Sequence, residues 1–283
     1  MVICDPALEG LMVSVRALFL RNISCFLLLL TDVPLHAAFE FQPASARAGG
    51  VGDNFVAWAQ SPKAVFWNPG AIVWNSGIGV IGGYDRPFGV SELRSGILGM
   101  VIPIGKVVAG IRIEDFGFAL CREQVMGATL AYRVADRLGA GLAIRSLRLK
   151  VEGSDSANWT VFDLGVKIVL PERVRGGVSS WNAGGNRTRL LGQGGMLGIG
   201  FEVSPDVSLV ADIRKESGLP TGGGVGLEFV IGKSAMLRLG AGNQPERFSG
   251  GFGVRKGTIT VDYSAAFHSI PGISQRVPVK IGK

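Results

Sequence analysis

Residues 137–153 read "RLGAGLAIRSLRLKVEG", and the spacing of their apolar side chains decides the fold. Leu138, Ala140, Leu142 and Ile144 fall on one face of an extended chain. Gly139, Gly141 and Arg145 fall on the other, which is the period of two of a β-strand. At Arg145-Ser146 the phase changes and the apolar series continues as Leu147, Leu149 and Val151. A one-residue slip in strict alternation predicts a β-bulge at that point.

The same period recurs along the chain. "FDLGVKIVL" (162–170) puts Phe162, Leu164, Val166, Ile168 and Leu170 on one face. Similar stretches occupy 105–115, 206–215, 223–232 and 257–267, with weaker ones at 76–84, 93–103, 123–134, 173–182, 195–203, 235–243, 248–255 and 273–281. Together these predict about fourteen strands, each near the ~10 residues that cross a bilayer at a tilt. Helical periodicity is almost absent after residue 75, and nothing marks a second domain. The longest break, 171–195, is rich in Gly and Arg and has room for one weak strand.

Alternation alone does not say which face is inside, since a soluble sandwich buries its apolar face and a membrane barrel turns it toward lipid. The opposite face carries Arg112, Glu114, Arg145, Asp163, Lys167, Asp212, Arg214, Glu228, Arg238, Arg255 and Asp262 among glycines. Small residues mixed with both signs of charge fit a hydrated or plugged lumen, where opposite charges on neighbouring strands can pair. The expected fold class is therefore all-β: a transmembrane antiparallel β-barrel of about 14 strands with a short N-terminal plug. The 8% aromatic content and three tyrosines are a thin supply for two interfacial girdles.

The N-terminal region has the parts of an export signal. Arg16 and Arg21 precede the apolar core "ISCFLLLL" (23–30), and "TDVPLHAAFEF" (31–41) offers cleavage after Ala37 or Ala38. The core is too short to span a membrane as a helix. Residues 1–11 read as an over-extended start with Met12 as the initiator, and Cys25 precedes the leucines, which argues against a lipid attachment site. Cleavage leaves Cys121 as the only thiol and excludes an internal disulfide. It removes Arg16, Arg21, Asp5, Glu9 and Asp32, so the net charge rises from +7 to +8. A basic exported product suggests contact with an anionic surface. Lys and Arg are scattered singly, not clustered with aromatics, which sets nucleic acid aside.

Residues 47–74, "RAGGVGDNFVAWAQSPKAVFWNPGAIVW", do not alternate. They hold three of the five tryptophans and read as short helices or turns with an aromatic side, ending at the turn signal Asn68-Pro69-Gly70. This stretch resembles the N-terminal signature of the PorV/PorQ family of bacterial outer-membrane proteins, relatives of the FadL-type transporters. The signature positions are Arg47, Gly49, Gly52, Phe55, Trp58, Phe66, Trp67, Asn68, Pro69 and Gly70. "VFDLGVKI" (161–168) is similar to that family's mid-barrel strand and "LRLGAGN" (237–243) to its Arg-x-Gly strand. "TVDYSAAFHSIPGISQRVPV" (260–279) is similar to its closing hairpin, with Asp262, Tyr263, His268 and Arg276 as the matching residues. The resemblance implies a fourteen-stranded barrel (76–283) whose segment 38–75 folds into the lumen as a plug, after a leader of residues 1–37. Gln275 stands where a histidine is expected, and Pro278 deprives the last strand of a backbone donor.

No catalytic set is visible, so the expectation is a non-enzyme without cofactor or metal. His268 is the only histidine outside the leader, and a triad or multi-His metal site has no second member. "LEFVIGKS" (227–234) has Leu227 where a phosphate loop needs its first glycine, and Gly232-Lys233 reads as a hairpin turn. Arg173, Arg175, Arg187 and Arg189 read as a surface segment. The resemblance implies a protein that receives or shuttles cargo of the type IX secretion system at the outer membrane. The alternatives are FadL-like transport of hydrophobic small molecules and a soluble secreted binding protein. Expected partners are outer-membrane lipid and lipopolysaccharide, with secreted cargo or other secretion components, and no nucleic acid.

Overall fold

The computed structural model describes residues 38–39, 45–184, 191–268 and 272–282. The leader lies outside the described residues, as do Arg187 and Arg189. Fourteen strands form one closed antiparallel barrel in which each pairs with its sequence neighbours and β1 closes on β14. They are β1 (Gly79–Arg86), β2 (Ser95–Ile104), β3 (Val107–Gly117), β4 (Cys121–Ala135), β5 (Leu138–Val151), β6 (Ala157–Val169) and β7 (Val174–Ala183). The second half comprises β8 (Gly194–Ser204), β9 (Val207–Glu216), β10 (Gly222–Ile231), β11 (Ala235–Asn243), β12 (Arg247–Lys256), β13 (Ile259–His268) and β14 (Ile273–Gly282). Each expected strand is found within a few residues of its expected bounds.

The two ends of the barrel differ. Connections at 105–106, 136–137, 170–173, 205–206, 232–234 and 257–258 are short turns, and β1 begins and β14 ends on the same side. At the other end the connections include 87–94, 152–156 and 184–193. These are called the short-turn and long-loop ends below.

Outward positions form an apolar surface. Leu130, Leu142, Leu164, Leu197, Ile213 and Leu239 are all exposed, an arrangement that is costly in water at ~1.5–3 kcal/mol per side chain and natural against hydrocarbon. Trp58, Trp67, Trp74, Trp159 and Trp181 pack in the two cores inside the barrel, so the aromatics exposed outside are Phe and Tyr, among them Tyr84, Tyr132, Phe248 and Phe267.

The expected bulge at Arg145-Ser146 is absent. β5 pairs without interruption through Gly127↔Arg145 on one side and Arg145↔Val161 on the other. Burial keeps alternating through Arg145, Leu147 and Leu149; what changes is the medium. Beyond Ile144 the outward residues become Ser146, Arg148 and Lys150, while inward Leu147, 0% exposed, packs with Phe39, Val125, Val161 and Leu191. The slip in hydrophobic phase therefore marks the rim where β5 leaves the bilayer and the interior acquires a dry core of its own. β4, β5 and β6 have 15, 14 and 13 residues against 8 to 11 elsewhere, which carries them past that rim.

Pro278 is accommodated at the seam. β1 and β14 pair continuously from Gly79↔Gly282 to Arg86↔Gln275, with Gly83 opposite Pro278. On the other side the β13–β14 pairing lapses between Val261↔Val279 and Ser264↔Arg276. The missing donor thus interrupts one ladder locally and leaves closure intact.

Candidate functional site

The interior is occupied by residues 45–75. A short helix α1 (Ala46–Gly50) and two 3₁₀ segments, Ser61–Phe66 and Pro69–Trp74, pack inside the wall. Val51, Phe55, Val56, Phe66, Trp67 and Ile72 of this insert form the main core with wall residues including Ile81, Val101 and Val210. Ala38 and Phe39 lie in the second core at the long-loop end, where Ala38 bridges to Leu191 and the Phe39 amide donates to Glu123 at 3.1 Å.

The wall approaches the insert closely because it lacks side chains at the contact. The Asn68-Pro69-Gly70 turn sits on Gly139, Gly141 and Gly165 of β5 and β6: a Cβ on Gly70 would lie 2.5 Å from the Gly165 carbonyl oxygen, and one on Gly141 2.5 Å from the Pro69 backbone. Asn68 fixes the turn from three directions. Its Oδ1 accepts from the Gly70 amide at 3.0 Å, and its Nδ2 donates to the carbonyls of Val56 and Val166 at 3.1 and 3.0 Å.

The other side of the insert adds charge to its contact with the wall. Arg47 makes two bonds to Glu228, at 2.5 and 2.8 Å; Glu228 accepts from Arg238 at 2.6 Å; Arg238 donates to Asp262 at 2.8 Å; and Asp262 binds Lys63. Signs alternate along this chain, with the two insert cations at its ends and a wall triad from β10, β11 and β13 between them. Arg238 reaches past β12 because Gly253 leaves room beside Asp262. At the long-loop end the polarity reverses: Asp53 of the insert accepts from Arg276 at 2.5 Å and lies 3.7 Å from Arg247, while Arg276 also donates to Asp85 at 3.0 Å.

Burial and partners oppose each other in the insert's own charges. Burial works against ionised Asp53, yet Arg276 and Arg247 hold its carboxyl below the usual carboxylate range. Burial also works against charged Arg47, and Glu228 more than offsets it. For Lys63 burial prevails over Asp262 and brings the amine down to about 8.

The remaining expected residues are placed as follows. Arg145 pairs with Asp163 at 2.7 Å and donates to Asn182 at 2.6 Å. Lys167, 1% exposed, donates to the Ala59 carbonyl at 2.5 Å and lies over the Trp74 ring. Asp212 accepts from the Val56 amide at 2.9 Å. Trp58 lies under Arg175 and against Gly200, so Arg175, which also pairs with Glu202, belongs to the interior contacts and not to a surface segment. Phe55 and Trp67 meet edge to face, and Gly49 and Gly52 touch the wall beside Ser264 and Ala241. Tyr263 packs on Phe252, while His268 sits at the mouth against Phe88. Asp53, Lys63, Asp85 and Arg247 were not singled out from sequence. For the first two a signal exists: they are isolated charges in a segment otherwise rich in Trp, Gly and Ala.

Cavities adjoin this packing. A narrow cavity of about 50 Å³ lies beside Phe66, Trp67 and Arg112. A mouth cavity of about 370 Å³ at the long-loop end is floored by Asp53, Arg247 and Arg276. On the outer face of β7–β12 an apolar groove of about 1340 Å³ runs over Ile199, Ala211, Ile213, Val225 and Phe248. Among the described residues no group of three His, Cys, Asp or Glu side chains is placed to hold a metal ion.

No protein-family model matches the chain, and no curated protein matches it in sequence. Solved structures do match in fold. The CymD monoaromatic hydrocarbon channel is similar over 87% of this chain and 99% of its own, with a TM-score of 0.70 and 13% identity. The toluene transporter TodX of P. putida is similar over 86% and 99%, with a TM-score of 0.60 and 11% identity. A FadL homologue of Pseudomonas aeruginosa gives 86% and 99%, with a TM-score of 0.60 and 12% identity. At these identities the likeness is one of fold alone, a closed antiparallel β-barrel.

Proposed function

We propose that the chain is an outer-membrane channel for hydrophobic small molecules, plugged by residues 45–75 in the state described. The short-turn end then faces the periplasm and the long-loop end the cell surface, as short periplasmic turns and longer external loops require. Lipid surrounds the apolar face, and lipopolysaccharide meets the outer rim at Arg148 and Lys150.

The observation that carries this reading is the closeness of the mouth cavity to the outer apolar groove. Arg247 lines both, and a gap of about 10 Å³ beside Asp212, Gly222 and Gly223 lies between them. The axis of the barrel is filled by the insert and its ion pairs, so a molecule entering at the mouth has an apolar surface one glycine-rich wall away. The fold likeness to a monoaromatic hydrocarbon channel and a toluene transporter supports the same reading. Uptake of radiolabelled toluene by cells expressing the chain tests it. Expression is expected to raise uptake several-fold, and Gly223→Trp, which fills the groove from outside, to reduce it while the folded band persists on semi-native gels. Uptake equal to that of cells with empty vector overturns the proposal.

The second reading, transfer of type IX secretion cargo, rests on the ordered motifs from Asn68-Pro69-Gly70 to the closing hairpin. Co-purification of secreted cargo with the barrel from a secretion-competent host, lost when loop 184–193 is shortened, is its test.

A further inference from the structure

The rim at the short-turn end carries its charge unevenly. One arc runs over neighbouring strands from the β10–β11 turn, through β14 and β1, to the β4–β5 turn. In or beside its turns stand Lys233, Lys256, Lys106 and Arg137, all exposed. Arg255, Lys280 and Arg133 lie on the lumen-facing register of the same arc, near the ends of β12, β14 and β4. Among the described residues of this arc, Asp136 is the only acid beside those seven cations. The rest of the rim, from β5 to β9, sets Arg173 and Arg175 against Glu172, Glu202 and Asp206. Positive charge is therefore gathered on one side, centred on the β1–β14 seam.

Two properties of the arc say what it meets. Its charge is uncompensated: among the described residues Lys106, Arg137, Lys233 and Lys256 form no ion pair. Arg255 and Arg133 donate to the carbonyls of Lys233 and Val73, at 3.1 and 2.7 Å, which neutralises neither. Its level is the edge of the apolar belt. Ile104 and Val107 flank Lys106, Val134 precedes Arg137, Ile231 precedes Lys233, and Val254 and Ile259 flank Lys256; all six are exposed. A cation just beyond lipid-facing side chains lies at the depth of the headgroup phosphates, with its alkyl stem against the acyl chains. An acidic protein docking from the aqueous side would meet the turn tips and leave that apolar flank unused. At the long-loop rim the described charges are mixed: Arg122 pairs with Asp115, and Glu152 and Asp155 follow Arg148 and Lys150.

We infer that the short-turn rim between β10 and β4 binds the headgroups of anionic phospholipids, of the phosphatidylglycerol or cardiolipin class, and holds lipid over the end of the β1–β14 seam. The inference rests on the membrane reading and not on what the channel carries. Full-length protein, purified from outer membrane in detergent, is incubated with dioleoyl phosphatidylglycerol or dioleoyl phosphatidylcholine, which share their chains, and bound lipid is counted by native mass spectrometry. Phosphatidylglycerol is expected to bind about fivefold to thirtyfold more tightly, as one or two cations per headgroup imply. The preference should vanish at ~1 M salt, where the screening length is about 3 Å. Lys106→Gln, Lys233→Gln and Lys256→Gln together should lower it about fivefold, while the folded band persists on semi-native gels. Arg148→Gln with Lys150→Gln, at the opposite rim, should leave it unchanged. Equal retention of the two lipids, a preference that survives the triple substitution, or one lowered as much by the long-loop pair overturns the inference. Binding of a polyglutamate peptide in place of phosphatidylglycerol, lost in the triple variant, also overturns it and makes the arc a dock for acidic protein. Toluene uptake by expressing cells is a separate readout: uptake without lipid preference sinks this inference alone, and lipid preference without uptake sinks the transport reading alone.

Discussion

The two halves of the insert both meet the barrel across glycines, but only one adds charge to the contact. The first half, around α1, lies against β11–β14, with Gly226 and Gly240 meeting the Val51–Gly52 backbone, and adds ion pairs between buried groups, Arg47 on the Glu228–Arg238–Asp262 triad and Asp53 on Arg276, with Lys63 of the next segment on the same triad. The second half, Pro69–Trp74, lies against β4–β6 and is held by contact of backbone on backbone across glycines. Charge attachment has to offset desolvation and depends on both partners being present. Steric attachment depends on empty volume at the wall and is indifferent to salt. Both sides of the segment are thus fitted, and one of them also carries a breakable attachment.

Removing one carboxylate gives the largest expected effect. Glu228→Gln leaves Arg47 and Arg238 short of a shared partner, and about 3–5 kcal/mol of stability goes with it, read as a lower temperature for loss of the fast-migrating folded band. Filling the side fitted by glycines alone comes next. Gly165→Val directs methyl groups at the Asn68-Pro69 backbone, and overpacking of this kind costs about 1–3 kcal/mol. Proteolysis of the detergent-solubilised protein should then release fragments from 67–75 before any from 46–55, and the reverse order for Glu228→Gln. The same order in both variants would break the comparison.

The smallest effect sharpens it. Burial holds the docked Lys63 at about 8 against 10.5 for a free lysine. Between those values the released insert binds more protons than the docked one, so docking strengthens as pH rises from about 8 toward 10.5 and is flat above. Lys63→Met should remove that slope. Gly165→Val should leave it in place, since the glycine contact carries no proton. Protection of the insert from protease across pH 7–11 measures both.

Strand number and strand positions were legible because alternation is a local property, read off each segment alone. Two features were not. The hydrophobic slip at Arg145-Ser146 looked like a backbone irregularity, but it records a change of surroundings along a regular strand, and sequence carries no coordinate for the bilayer edge. The pairing of Arg238 with Asp262 was hidden because the partners sit on strands separated by β12, and only the glycine at 253 permits the reach. The insert's charges were visible as oddities among tryptophans, while their partners, Glu228 at one end and Arg276 at the other, depend on register that no single segment displays.

Ala38 and Phe39 lie at the long-loop end, β1 begins at the short-turn end, and the insert lies between them inside a ring sealed by β1 on β14. The polypeptide is therefore threaded through its own barrel. Once the β1–β14 seam has formed, the insert can enter or leave only lengthwise, drawing its aromatic side chains past the ion pairs one after another. The simplest order of assembly wraps the wall around the insert and closes the seam last, so the segment that blocks the pore would also be the mandrel on which the pore is made.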